Sequence, residues 1–282
     1  MSSPIDRRNT PGPNAEPHLR MRRLGAQLVS AVLGDNLDVL YLSPLSSETA
    51  SARGGVPVLF PQFADRGILP KHGFARTALW SLTQESVSDQ AHSLVFELAI
   101  APGQFADWPH AADLLLQADA SQNGLHLSLQ ITNTGHSTFT WTGGLHPYFA
   151  VDDVQACSVG GLAGLPVEDR YDACLTTEPD GPNGWGRQPF ERLYDACSPL
   201  KLFTGSRWLT LAASGFDQWM VWNPGLAGSQ ALPDLPAGDW QRFICIEPVC
   251  ASHPASLFPG EVFTGTLDVR LLSNTHATKE NA

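Results

Sequence analysis

The chain has 282 residues, 43% hydrophobic and 16% charged, which suits one large core or two modest ones and does not suit a disordered polymer. A formal net charge of −11 sets the average field against nucleic acids and anionic membranes, so neither is expected as a partner, and a phosphorylated ligand would need a local cationic pocket. No apolar run approaches the ~18 residues of a membrane span, and five cysteines without a CxxC pair fit reduced thiols in a soluble, cytoplasmic protein.

In chain order, residues 1–17 are polar and rich in Pro and Asn, without an apolar stretch, and read as a disordered leader instead of a signal peptide. Short strands are expected at 39–42, 94–100, 208–212, 219–222 and 243–246. Two longer ones alternate apolar and polar residues at 125–132, with Leu125, Leu127, Leu129 and Ile131 on one face, and at 263–271. Turn clusters at 121–124, 133–135 and 179–184 punctuate them. No stretch of ~12 residues keeps a helical period. This rhythm predicts one all-β domain over residues 18–274, an antiparallel β-sandwich, followed by a flexible tail at 275–282.

Four segments place polar side chains in apolar or Gly/Pro-punctuated strings. In residues 52–61, ARGGVPVLFP, Arg53 precedes two glycines, which suggests a guanidinium beside backbone that something approaches closely; a surface Arg at a turn is the alternative. In residues 70–76, PKHGFAR, an extended backbone would put His72, Phe74 and Arg76 on one face with Lys71 nearby. Arg53, Lys71 and Arg76 are the candidates for a cationic pocket, against the reading of a basic turn that only solubilises a strand end. In residues 141–149, WTGGLHPYF, His146 lies among aromatics, where a neutral imidazole is favoured, and Pro147 marks a strand end or edge. His146 is either a satisfied core histidine or a proton-transfer group. In residues 243–248, FICIEP, Glu247 ends a buried run, and a buried carboxylate requires a partner: a structural Arg, or a role as a base with raised proton affinity.

Other chemistries find little support. There is no P-loop, GxGxxG, GxSxG or HExxH, and the nine histidines lack metal-ligand spacing, so no metal is expected. Asp152 and Asp153 could supply a glycosidase-like carboxylate pair, but adjacent aspartates usually form a solvated loop.

Taken together and in order, RGGVPVLFPQF, LPKHGFARTALW, GGLHPYF, VWNPG and FICIEP resemble the glucose-6-phosphate 1-epimerase (hexose-6-phosphate mutarotase) family of the aldose 1-epimerase superfamily, over about residues 39–272. The resemblance implies a β-supersandwich of galactose mutarotase type and an isomerase without a cofactor, acting on a small sugar phosphate. It implies His146 as general acid and Glu247 as base, with Arg53, Lys71, His72 and Arg76 on substrate-binding positions. Lys71 stands where that family commonly has Gln. Asp217 resembles a substrate-binding Asp of the family, but its offset is one residue longer, which would flip its strand face unless a bulge intervenes. The chain is expected to act as a monomer. Two further readings stay open: a free-aldose 1-epimerase, and a non-catalytic carbohydrate-binding protein on the same fold.

Overall fold

The computed structural model describes residues 16–34, 36–180 and 186–272. The expected leader (apart from residues 16 and 17), the tail, and most of the 179–184 turn cluster lie outside these ranges. Strands in chain order are β1 (His18–Arg22), β2 (Gln27–Val32), β3 (Val58–Leu59), β4 (Ser81–Val87), β5 (Ala91–Ile100) and β6 (Ala112–Ser121). They continue with β7 (Gly124–Thr132), β8 (Phe139–Leu145), β9 (Tyr148–Ala150), β10 (Ser158–Gly160), β11 (Val167–Asp169) and β12 (Phe190–Tyr194). The last are β13 (Leu200–Phe203), β14 (Trp208–Ser214), β15 (Gln218–Asn223), β16 (Phe243–Leu257) and β17 (Val262–Leu271). Among the described residues the one α-helix, α1 (Gly225–Ser229), spans five residues, and no helix is long and apolar enough to cross a membrane.

Two antiparallel sheets form the sandwich. One has the order β10-β13-β14-β17-β7-β6-β5-β4, and the other β11-β12-β15-β16-β8-β3 with β9 also paired to β16. The alternation in β7 does what the sequence predicts: Leu125, Leu127, Leu129 and Ile131 are all buried while the residues between them are half-exposed. β6 repeats the pattern with Ala112, Leu114, Leu116, Ala118 and Ala120. Across the sheets, Trp141 of β8 meets Phe263 of β17 with ring centres 4.8 Å apart. Each buried side chain of this size contributes on the order of 1.5–3 kcal/mol, so the core rests on many moderate contributions.

β16 is the axis of the second sheet, and its residues from Phe243 to Ala251 are buried on both faces. It is longer than the expected 243–246 strand, so Glu247 lies inside it, not at its end. A register shift interrupts β16 between Cys250 and Ala255. There the buried Gln218 side-chain oxygen accepts from the backbone N–H groups of Ala251 and Ser252, at 3.1 and 2.8 Å. The expected strand at 39–42 appears only as isolated bridges, from Leu40 to Phe149 and Leu42 to Gly54. Asn223 in the VWNPG run is structural: its amide donates to the carbonyls of Trp240 and Phe243, which ties the turn after β15 to the start of β16.

Candidate active site

Register across the second sheet assembles the site. β9 pairs with β16 so that Cys245 faces Tyr148, and β8 pairs with β16 so that Val249 faces Gly144. The same register, continued through the break at Pro147, sets Glu247 opposite His146. Side chains directly opposite on one face have Cβ atoms about 5 Å apart, close enough for an imidazole and a carboxylate to meet. On the other flank Glu247 pairs with Met220, Cys245 with Trp222, and Trp222 with Glu191 of β12. These residues, apart from Cys245, line one cavity of about 260 Å³ together with Arg53, Lys71, His72, Arg76, Arg170 and Asp234.

His146 Nε2 lies 3.3 Å from Glu247 Oε1, and the two side chains are 9% and 2% exposed. Glu247 therefore has a histidine as its partner, not the structural arginine that was the alternative. The Tyr148 ring stacks on His146 at 4.9 Å and 10°, and the His72 ring meets it edge-on at 5.5 Å. The His146 backbone N–H donates to the Pro57 carbonyl at 3.0 Å. His146 Nδ1 and Glu247 Oε2 are buried without a hydrogen-bond partner among the described residues, which is costly in a site that serves only structure.

Burial holds His146 well below the usual imidazole range, and His72, Arg53 and Arg76 push it in the same direction. Burial drives Glu247 well above the usual carboxylate range, Glu191 adds to this, and Lys71 opposes it. Burial therefore favours the uncharged form of each group, the protonated carboxyl of Glu247 and the neutral imidazole of His146. These surroundings favour the neutral imidazole that the aromatic neighbours of His146 suggest in the sequence.

The cationic groups gather beside this pair. Arg53 forks onto Asp234, with Nε to Oδ1 and Nη2 to Oδ2 both at 3.2 Å, and its Nη1 donates to the Tyr148 hydroxyl at 3.2 Å. Burial disfavours its charge, but Tyr148 and Asp234 outweigh that and raise its proton affinity. Gly54 follows at φ +127°, where a side chain would collide with the Tyr41 carbonyl, so the close approach read from the two glycines is made by the protein's own backbone. Arg76 Nε is buried without a partner, and burial followed by the charge of Arg53 lowers its proton affinity. A guanidinium stays protonated under such pressure, which leaves Arg76 as a donor in want of an acceptor. Lys71 is exposed at the rim.

The 70–76 segment is not extended. His72 and Gly73 take φ of +66° and +70°, and Ala75–Thr77 forms a 3-10 turn. His72 and Arg76 still reach the same cavity, because the turn replaces strand parity in bringing them together. His72 Nδ1 accepts from the Ala64 N–H at 3.2 Å, which keeps its proton on Nε2. Burial, with Arg76, Lys71 and Arg53, lowers its pKa to about 3, so it is a neutral hydrogen-bond donor.

Asp217 does not join the site. Met220 and Trp222 of β15 face the cavity, and Asp217 has the opposite parity; its carboxylate instead meets His253 Nδ1 at 2.9 Å, so the structure does not bring it to the cavity as the sequence leads one to expect. The aspartate that does face the cavity is Asp234, in a loop with no pattern to single it out. Tyr148, Trp222, Glu191 and Arg170 were also missed; Arg170 and Glu191 pair at 3.0 Å on the cavity wall. Tyr148 was within reach, two residues from His146 and on the same face. Asp153 caps a 3-10 turn through the Gln155 N–H, as the loop reading of Asp152 and Asp153 predicts.

Comparison with known proteins follows this geometry. The sequence model of the family described as Aldose 1-epimerase matches residues 16–195. A protein of Salmonella typhimurium provisionally named glucose-6-phosphate 1-epimerase is 32% identical over 239 residues, covering 82% of this chain and 79% of its own length. One from Cenchrus ciliaris with the same provisional name is 26% identical, covering 90% of this chain and 81% of its own. The crystal structure of a Salmonella typhimurium protein provisionally described as a mutarotase superposes with a TM-score of 0.80 at 26% identity, over 92% of this chain and 89% of that one. The galactose 1-epimerase of Lactobacillus acidophilus shares the fold, with a TM-score of 0.67 at 17% identity over 92% of each chain.

Proposed function

The chain belongs to the aldose 1-epimerase family, and from that premise we propose that it interconverts the α and β anomers of a hexose 6-phosphate, glucose 6-phosphate being the expected substrate, by opening and reclosing the sugar ring. The observation that carries this reading is the buried contact of 3.3 Å between His146 Nε2 and Glu247 Oε1 beside Arg53, Arg76 and Lys71.

Ring opening needs a proton removed from the anomeric hydroxyl and one delivered to the ring oxygen. A His–Glu pair that holds one proton has the required inventory: one member accepts while the other donates. With Glu247 as base and His146 as acid, the substrate hydroxyls that enter between them first let the proton pass from the carboxyl to the imidazole. The aldehyde then turns about its C1–C2 bond and recloses on the opposite face, with the two roles exchanged. Each group contributes on the order of 10²–10⁴ in rate. His72, with its proton on Nε2, supports a sugar oxygen as a donor, and Trp222 offers an apolar wall to the ring. The phosphate finds Arg76 with an unpartnered Nε, the paired Arg53, and Lys71 at the rim.

A free aldose is the second reading, and the Arg53–Asp234 pair favours it, since a guanidinium already forked onto a carboxylate has less to offer a phosphate. A binding role without catalysis would not call for a buried acid–base pair, whose desolvation is costly. Exchange NMR or polarimetry on glucose 6-phosphate, galactose 6-phosphate and glucose, run in parallel, separates these readings. Acceleration of the phosphate esters above glucose is expected. Equal rates on glucose would move the assignment to free aldoses, and no acceleration of any sugar would overturn catalysis.

A further inference from the structure

One side chain on the cavity face of β16 has no part in the reaction. Cys245 is fully buried, two residues from Glu247 on the same strand face, and its cross-strand neighbour is Tyr148, whose ring stacks on His146. Ligand atoms of His146, Cys245 and Glu247 all lie within 4.8 Å of one another. We propose that these three residues form a binding site for a divalent transition metal ion of the zinc class, and that occupancy of this site inhibits the enzyme.

Donor chemistry selects the ion. A thiolate, an imidazole and a carboxylate are the set that zinc, cadmium and cobalt(II) accept, whereas magnesium and calcium prefer all-oxygen shells. Metal–ligand bonds of about 2.0–2.3 Å in a tetrahedron hold ligand atoms about 3.5 Å apart. His146 Nε2 and Glu247 Oε1 already stand at 3.3 Å, so only modest side-chain rotation is needed to close the remaining separations. Three protein ligands leave the fourth position to water from the cavity.

Two further observations favour occupancy. Glu247 Oε2 is buried without a partner, on a side chain only 2% exposed, so the carboxylate keeps an unsatisfied oxygen that a metal ion can take up. Charge also balances: a thiolate and a carboxylate cancel a divalent ion, and the neutral assembly does not repel Arg53 and Arg76 as a bare dication would. On binding, the thiol and the carboxyl each release a proton to the buffer and form a bond to the metal. The ion then occupies both groups assigned to proton transfer. Metal binding is independent of the proposed reaction; the inhibition rests on it, so the two are measured separately.

The test is titration of the full chain with cobalt(II), followed by its thiolate charge-transfer band, with zinc as competitor and mutarotation read in parallel. One equivalent is expected to develop the band and zinc to abolish it. Cys245→Ala is expected to lose the band and to raise the zinc concentration for half-inhibition by more than about 100-fold, since even loss of an outer-shell partner costs about 10–100-fold. Cys174→Ser, which removes an exposed thiol, is expected to keep both. Absence of the band in the wild type, its persistence in Cys245→Ala, or its loss in Cys174→Ser would overturn the proposal. If Cys245→Ala loses its near-ultraviolet circular dichroism, X-ray absorption of the zinc-loaded wild type decides: one sulfur with nitrogen and oxygen neighbours supports the site, and none or several sulfurs refutes it. The spectroscopic result stands whether or not the wild type turns over a sugar.

Discussion

Replacing Glu247 by Gln preserves the shape and a hydrogen-bonding group facing His146 Nε2 at 3.3 Å, but removes the carboxyl proposed to cycle the proton. General acid–base catalysis supplies about 10²–10⁴ in rate, so Glu247→Gln is expected to lose about 2.7–5.4 kcal/mol of transition-state stabilisation. Exchange NMR on glucose 6-phosphate, with the uncatalysed rate subtracted, measures this directly, and KM should change far less than kcat. The same substitution has a stability signature of defined sign. Burial, then Glu191, raises the folded carboxyl above its unfolded value of about 4.3. Stability gained by holding that proton is complete below about pH 4.3 and is lost as pH rises toward the folded value, by at most about 1.4 kcal/mol per pH unit. Glutamine has no such dependence, so the variant should gain on the wild type as pH rises above 4.3 in urea titrations. Turnover above about one tenth of wild type would refute the catalytic role. A pH-independent stability difference would refute the buried neutral carboxyl.

The same assays check three further expectations. Arg76→Ala and Arg53→Ala should each raise KM for glucose 6-phosphate about ten-fold or more, on the about 1.5–3 kcal/mol of a charged hydrogen bond, with less effect on glucose; equal effects on both would argue against phosphate recognition. His72 is held neutral in the fold to about pH 3, so its contribution to stability is present above about pH 6.5 and falls with acid at up to about 1.4 kcal/mol per unit. His72→Asn should therefore flatten the acid limb of the stability profile, and an unchanged slope would count against the locked tautomer. Asp217→Asn should leave turnover within about two-fold, because Asp217 meets His253 outside the cavity; a large loss would restore it to the site.

Alternation made the first sheet legible: Leu125 to Ile131 declare their face in the sequence itself, and β6, with its run of Leu and Ala at every second position, carries the same signal. The His146–Glu247 pair was legible for another reason, since a carboxylate inside FICIEP and an imidazole inside GGLHPYF are polar groups where apolar ones are expected. That they face each other depends on a cross-strand register 101 positions apart in sequence (247 − 146), which no local pattern encodes. Asp234 and Arg170 belong to loops and turns whose course is set by tertiary contacts, and they left no mark in the sequence. The PKHGFAR segment misled through its alternation. The φ of +66° at His72 is unusual for a non-glycine residue, and it is held by the His72 N–H bond to the Ala64 carbonyl and the Ala64 N–H bond to the ring.

The two halves of the cavity are coupled by charge. After burial, the groups that hold His146 neutral are His72, Arg53 and Arg76, and the last two are the arginines proposed to meet the phosphate. A phosphate dianion between them offsets their field, so it raises the proton affinity of His146 at the moment the substrate arrives. Sugar hydroxyls that enter beside Glu247 favour its carboxylate in the same step. On that proposal, phosphate binding would move the shared proton toward the imidazole and ready the acid, an effect that a free sugar would not produce. The expected consequence is a higher kcat for glucose 6-phosphate than for glucose at saturation, not merely a lower KM. In Arg76→Ala that kcat advantage should shrink along with phosphate affinity. Equal kcat values for the two sugars in the wild type would show that the arginines only hold the phosphate and leave the proton where burial puts it.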